Sequence, residues 1–222
     1  MGFLDRYRTP ADLPQHIPVF PLSGALLLPR ADLPLNIFEP RYVAMIQDAM
    51  SSDRLIGMIQ PQADAADKDV PLLQKIGCAG RITSYAETPD DRLVITLTGV
   101  SRFEIVEELA AVTPYRQVVA NYHPFAIDLV SDMGATEVNR PALLKAFRDY
   151  LNANDMNADW EQVDEASTEV LVNTLSLLAP YPPGDKQALL EAPDLKTRAD
   201  VLVALTEVAL RRMAPGGQSR LQ

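Results

Sequence analysis

The chain has 222 residues, of which 47% are hydrophobic and 23% charged, and this is the composition of an ordinary globular protein with room for one or two cores. Its formal net charge of -10, from 30 acidic and 20 basic residues, disfavours nucleic acid as a partner because phosphate backbones are negative. Cys78 is the only cysteine, which excludes an intramolecular disulfide and predicts a buried thiol.

Targeting signals are not evident in the sequence. No apolar stretch has the length of a signal-peptide core or reaches the roughly 18 to 20 residues that span a bilayer. We therefore expect a cytoplasmic protein without a membrane anchor.

The segment 17–42 predicts short strands that lead into a helix. Ile17 to Phe20 and the apolar run 25–28 are bounded by prolines, which cannot donate to a sheet ladder, so both are predicted to be edge strands or strand ends. In Glu39-Pro40-Arg41-Tyr42, a carboxylate precedes a proline suited to the first turn of a helix. A helix over 40–50 is therefore predicted.

Up to His123 the apolar residues alternate with period two, which indicates a β-rich region of about six or seven strands. The predicted strands after the helix lie at 55–59, 76–82, 93–97, 103–106 and 115–122. Gly99 is interpreted as a bulge or bend, and the acidic, alanine-rich segment 62–70 as a mobile loop.

From Asn139 onwards the apolar period changes to 3.6, which predicts helices. Asn139 can cap the first helix, a second helix carries Val170 to Leu178, a short one passes through Gln187, and Asp194 can cap a long last helix. The predicted organisation is an N-terminal arm (1–16), a β-rich domain (17–123), a connection (124–138), a helical bundle (139–213) and a flexible tail (214–222).

Four pieces of this sequence, in order, resemble the N-terminal substrate-binding domain of the Lon ATP-dependent protease, especially the small bacterial proteins that carry that domain alone. The pieces are 17–42, 76–82, 93–103 with its Arg102-Phe103 pair, and 185–195. The resemblance implies an α+β fold in which a PUA-like β pseudobarrel is followed by an α-helical bundle.

Catalytic motifs are missing. The sequence lacks the G-x-x-x-x-G-K-[ST] loop that holds nucleotide phosphates, and its five lysines (68, 75, 145, 186 and 196) fall in predicted loops, strand ends or exposed helix faces. A Ser-Lys dyad needs a desolvated amine, so none is expected. His16 and His123 are far apart and cannot form a usual zinc site with one cysteine. We predict no enzyme activity, no metal and no cofactor.

The candidate binding residues come from two of the segments that carry the resemblance. They are Phe38, Glu39, Pro40, Arg41, Tyr42, Arg102 and Phe103. In the structural interpretation, Glu39 contacts the helix N-terminus and Arg41 pairs with a carboxylate. In the functional interpretation, these residues form part of a peptide-binding surface. Two interpretations apply to Met45, Met50 and Met58: they line an adaptable apolar groove, or they fill the core. Core filling is favoured.

The resemblance implies a non-catalytic module that recognises unfolded or damaged polypeptides, as an adaptor or a holdase related to Lon proteolysis, with a protease or chaperone as further partner. One alternative is RNA binding, because PUA-like folds bind RNA elsewhere, although the net charge and the lack of a basic-aromatic stripe oppose it. A second alternative is a peptidase acting alone, as the family name would suggest.

Overall fold

A computed structural model describes residues 6–62, 70–90, 92–110 and 112–213 of the chain. The beginning of the predicted arm, nearly all of the predicted loop 62–70 and the predicted tail 214–222 lie outside the described residues. Contacts divide the chain into two compact units. The first runs to Ser131 and includes Tyr181–Glu191, and the second contains Asp132–Pro180 and the chain from Ala192 onwards.

The strands are β1 (His16–Pro21), β2 (Asp32–Ile37), β3 (Leu55–Ile59), β4 (Ile76–Glu87), β5 (Leu93–Leu109) and β6 (Arg116–Asn121). The α-helices are α1 (Pro40–Met50), α2 (Arg140–Ala153), α3 (Trp160–Glu165), α4 (Thr168–Leu178), α5 (Pro183–Glu191) and α6 (Leu195–Met213). None of the helices in the described ranges is both long enough and apolar enough to cross a bilayer.

Five strands of the first unit pair in a ring. In the ring order β5-β4-β3-β1-β6, every neighbouring pair is antiparallel except β3 and β1, which are parallel. The ring closes because β6 also pairs with the second half of β5, while β2 adds to the first half of β5. The predicted α+β fold, a pseudobarrel followed by a helical bundle, is confirmed.

The two strands that contain an internal proline, β1 and β2, differ in their position in the sheet. The prediction of an edge position is wrong for β1, which pairs with β3 and β6, and Pro18 is tolerated because the pairing with β3 begins only at Val19. β2, by contrast, has β5 as its one partner among the described strands and holds Pro34 in its middle. On an edge strand the proline nitrogen, which carries no hydrogen, can face away from the partner strand, so no hydrogen bond to that strand is lost.

The apolar run 25–28 is not a strand, which corrects the sequence prediction. It is buried because the chain crosses β5 at Gly99: the Arg30 N–H donates to the Gly99 carbonyl (2.8 Å), and the Gly99 N–H donates to that of Ala31 (2.9 Å). The bulge predicted near Gly99 is confirmed, since the β4–β5 register skips Val100. The runs 93–97 and 103–106 form one strand of 17 residues.

The interior of the first unit is built around Phe103, whose side chain is fully buried. Its ring covers Gly57 and Gly77, where a Cβ atom would lie 2.8 and 2.7 Å from the ring, so a larger residue at either position would have to displace the buried ring. Tyr7 and Leu13 are buried in the same core. These two residues of the predicted arm are therefore part of the domain.

The second unit packs α2 and α4 against α6. Asn139 accepts the Ala142 N–H at the start of α2, and Asp194 accepts the Thr197 N–H at the start of α6, so both predicted caps are confirmed. The helix predicted over Val170 to Leu178 is present as α4. Leu171 and Leu175 are buried with Val172, whereas Val170 and Leu178 face solvent.

Helix α5 joins the first unit, although the sequence analysis placed it in the helical bundle. The Gln187 amide donates to the Ile76 carbonyl and accepts from Gln60, and the Lys186 ammonium donates to the Gly24 carbonyl. Residues of the predicted connection 124–138 also join this unit as far as Ser131. Polar contacts between residues that are distant in sequence determine where α5 and the start of the predicted connection lie. The spacing of apolar residues along the chain does not reveal such contacts.

Candidate functional site

The segment 38–42 lies where β2 ends and α1 begins. Phe38 is 64% exposed and Pro40 is exposed, whereas Tyr42 is buried with its ring 4.1 Å from that of Phe20. Burial raises the pKa of the Tyr42 hydroxyl. The segment thus presents one aromatic side chain to solvent and uses the other to fix the helix to the ring.

Glu39 and Arg41 pair with each other at the surface, with 2.7 Å between the guanidinium and the carboxylate. Pairing of Arg41 with a carboxylate is confirmed, but Glu39 makes no side-chain capping bond to the helix N-terminus. The Arg41 guanidinium also lies 4.6 Å from the Tyr42 ring centroid. An exposed pair of this kind contributes little to stability.

Phe38 borders a shallow groove between α1 and the turn that joins β4 to β5. We call this the Phe38 groove, and its lining residues are Phe38, Pro40, Val43, Ala44, Gln47, Asp90 and Arg92. On the rim, Arg92 pairs with Asp90 at 2.9 Å, and its guanidinium carbon is 6.0 Å from the Phe38 ring centroid. The groove can therefore accept an apolar side chain between polar edges.

The helix that forms one wall of the groove is held to the ring at its far end. The Tyr115 hydroxyl donates to the Asp48 carboxylate across 2.6 Å. Burial and this carboxylate raise the pKa of Tyr115 to about 12, so the bond persists at neutral pH. A fixed wall lowers the entropic cost of binding a ligand.

Arg102 and Phe103 do not reach this groove, which corrects their candidacy as surface residues. Arg102 is 1% exposed and forms a two-pronged pair with Asp128, Nε to Oδ2 and Nη2 to Oδ1, each 2.8 Å. Its main-chain N–H donates to the same carboxylate, and Nη1 donates to the Leu190 carbonyl at 3.1 Å. The guanidinium also stacks on Phe125 at 4.6 Å. Both residues hold the fold together.

Several groove residues were not identified from the sequence. Val43, Ala44 and Gln47 share one face of α1 with the predicted residue Pro40, because they follow it at intervals of three or four residues, and this spacing was the available signal. Asp90 and Arg92 come from a distant turn and gave none. Met45 and Met58 are buried, which confirms that they fill the core.

The described lysines are poor candidates for a catalytic base. Lys75, Lys145 and Lys196 pair with carboxylates, and Lys186 donates to a carbonyl, while Lys68 lies outside the described residues. The hydrogen bonds that Lys145 and Lys196 donate to Asp149 and Asp200 raise the pKa of both ammonium groups, the opposite of what a neutral amine base needs. The described ranges contain no cluster of three potential metal-ligating side chains.

A family model described as the ATP-dependent protease La (LON) substrate-binding domain matches residues 16–207. Lon protease 2 of Myxococcus xanthus is 27% identical over 204 residues, which cover 87% of this chain and 24% of that protease. The Lon protease of Heliobacterium modesticaldum is 26% identical over 203 residues, with 90% and 24% covered. The chain thus spans about a quarter of the length of these curated relatives.

Solved structures agree on the fold. A Lon N-terminal domain protein from Xanthomonas campestris matches with a TM-score of 0.61 at 21% identity, covering 85% of this chain and 97% of that one. The N-terminal domain of the Mycobacterium avium complex Lon protease matches with a TM-score of 0.64 at 17% identity, covering 86% and 98%. The matched segment is a substrate-binding domain in the family description, and the matches involve no ATPase or protease domain.

Proposed function

Because this chain belongs to the family of Lon substrate-binding domains, we propose that it binds unfolded or damaged polypeptides through the Phe38 groove and does so without catalysis. The observation that carries the proposal is the 64% exposure of Phe38 beside an apolar helix face. Unfolded chains expose the apolar side chains that such a groove can cover.

The physical chemistry of the groove supports weak and adaptable binding. An aromatic side chain offers a large apolar area at low conformational cost, because only two torsions must be fixed. The net charge of -10 keeps a protein with an exposed aromatic ring soluble. The open shape of the groove suits clients of varied sequence and imposes no single motif.

Strand addition is a less suitable binding mode for this surface. The outer edge of β2 is open among the described strands, but Pro34 lies in its middle and provides no N–H for a bound peptide. The proposal is therefore that side chains of the client enter the groove, while the edge strand is protected against pairing.

We expect the substitution Phe38→Ser to weaken binding of a labelled unfolded protein by about five- to tenfold, because aromatic anchors dominate such surfaces. The free energy of unfolding should change by less than about 0.5 kcal/mol, since the side chain is largely exposed. Fluorescence anisotropy and urea denaturation measure the two quantities.

The matched control is Leu178→Ser on α4, which removes a side chain that is 73% exposed and does not line the groove. This variant should bind like the unmodified protein. Equal weakening by both substitutions would mean that binding follows general hydrophobicity, and the Phe38 groove would be rejected as the site.

Salt dependence distinguishes polypeptide binding from RNA binding. Apolar burial should make client affinity nearly constant between about 50 and 200 mM salt, whereas phosphate contacts weaken steeply over this range. Tight, salt-sensitive binding of labelled RNA, without affinity for unfolded protein, would contradict the proposal. An adaptor would also bind a protease or chaperone partner, and a holdase would suppress client aggregation alone.

We further predict that the purified chain hydrolyses neither ATP nor casein. The sequence lacks a phosphate loop, and the described lysines are already engaged with carboxylates or with a main-chain carbonyl. Phosphate release and fluorescent casein assays provide the test. Casein cleavage that disappears on substitution of a single serine would show that the chain is a peptidase.

A further inference from the structure

A second, polar cleft lies at the C-terminal end of α1, at the opposite end of this helix from Pro40. It is lined by Arg6, Tyr7, Asp12, Ser52, Asp53, Arg54 and Arg81. The cleft is distinct from the Phe38 groove, because the two sets of lining residues have no member in common. Three arginines and two aspartates leave its lining positive, although the chain has a net charge of -10.

The strand register fixes two of the arginines. Arg81 of β4 pairs with Leu55 of β3, and the Ile82 N–H donates to the Arg54 carbonyl at 2.8 Å. The Arg81 guanidinium donates through Nη1 to the Tyr7 hydroxyl (3.1 Å) and to the Asp53 carbonyl (3.0 Å). The pairing of β3 with β4 therefore determines where Arg54 and Arg81 lie in the cleft.

Arg54 occupies a backbone conformation that favours another residue type. Its φ angle is 60°, in the left-handed region, where glycine or asparagine follows a helix with less strain. Its N–H is tied to the Ala49 carbonyl at 2.9 Å, so the neighbouring structure imposes this conformation. An arginine at such a position provides a side chain at a local conformational cost.

The charges in the cleft are only partly balanced from within. Asp12 is already occupied, because it accepts from the N–H groups of Arg8 and Thr9 and from the Thr9 hydroxyl. The side chains of Arg6 and Arg54 have no hydrogen-bond or ion-pair partner within the described ranges. Guanidinium groups that share a cleft repel one another, and an anion between them removes this repulsion.

We infer that this cleft binds a small multivalent oxyanion of the phosphate class, held by Arg6, Arg54 and Arg81. Phosphate offers more oxygens and more negative charge than a single carboxylate, and guanidinium donors match its geometry. The Tyr7 hydroxyl accepts from Arg81 and can direct its own proton towards the anion.

The test measures the thermal unfolding midpoint and the heat of binding with inorganic phosphate and with pyrophosphate, against sodium chloride at the same ionic strength. We expect both phosphates to raise the midpoint, with pyrophosphate binding more tightly because of its higher charge. Arg54→Gly should reduce affinity by about tenfold or more, since it removes charge-assisted hydrogen bonds.

Arg54→Gly also separates loss of the ligand from loss of the fold. In chloride alone its midpoint should equal or exceed that of the unmodified protein, because glycine adopts this φ angle without strain. Arg6→Gln should weaken phosphate binding similarly. The control Arg212→Gln makes the same charge change on α6 and should leave binding unaltered. Equal stabilisation by chloride, or undiminished phosphate binding by Arg54→Gly, would overturn the inference.

Discussion

The substitution Asp128→Ala should lower the free energy of unfolding by about 3 to 5 kcal/mol, the range for breaking a buried ion pair from one side. Arg102 would remain buried without the carboxylate that accepts from its Nε, its Nη2 and its main-chain N–H. Its contacts with the Leu190 carbonyl and the Phe125 ring provide no negative charge in place of that carboxylate. Urea denaturation followed by circular dichroism measures the loss.

Two further variants show whether burial is the cause. Asp149→Ala breaks an exposed pair with Lys145 on α2, and its cost should stay below about 1 kcal/mol. The double substitution Arg102→Met with Asp128→Leu should recover much of the lost stability, because it leaves no unpaired charge in the interior. Similar costs for Asp128→Ala and Asp149→Ala would contradict this account of the pair.

The sequence predicted the elements that local rules control. The strand 55–59 and the helix 40–50 have the predicted limits, since alternation, helical spacing and Pro40 at the first turn are properties of neighbouring residues. The caps at Asn139 and Asp194 depend on contacts only three residues apart. Such signals are preserved in a single sequence.

Features that depend on distant residues escaped prediction. The burial of the run 25–28 without a strand requires the crossing at Gly99, about 70 residues later, and closure of the ring requires β6 to meet the end of β5. Helix α5 belongs to the first unit because its Gln187 is hydrogen-bonded to the Gln60 side chain and to the Ile76 carbonyl. The period of apolar residues alone cannot reveal these contacts, because each contacting segment follows the pattern of its own strand or helix.

The same distinction applies to the candidate site. Phe38 and Pro40 are exposed at a strand-to-helix junction, as a binding interpretation requires, whereas Arg102 and Phe103 are buried. From the sequence alone, Arg102 beside Phe103 could be either exposed or buried, because its partner Asp128 lies 26 positions away. Burial of the arginine was therefore inaccessible until its partner was known.

The substitution Gly99→Ala should destabilise the protein by about 3 kcal/mol or more, through overpacking against immovable atoms. A Cβ atom at this position would lie 2.0 Å from the Leu28 carbonyl oxygen and 2.7 Å from its carbon, and both atoms belong to the main chain. The crossing chain cannot retreat, because its flanking residues Arg30 and Ala31 are hydrogen-bonded to Gly99 itself. Relief would require breaking these bonds or shifting the buried run.

Two other glycines provide graded comparisons in the same denaturation experiment. At Gly80 the nearest atom to a new Cβ would be a Leu27 side-chain carbon at 2.6 Å, which can move, so Gly80→Ala should cost less, about 1 to 2 kcal/mol. At Gly184, in the first turn of α5, no atom lies within 4 Å, and alanine should be neutral or slightly stabilising. We expect Gly184→Ala to be the most stable of the three variants, Gly80→Ala to be intermediate and Gly99→Ala to be the least stable. A Gly99→Ala protein as stable as Gly184→Ala would show that the crossing is not closely packed, and insolubility of Gly99→Ala alone would agree with the predicted clash.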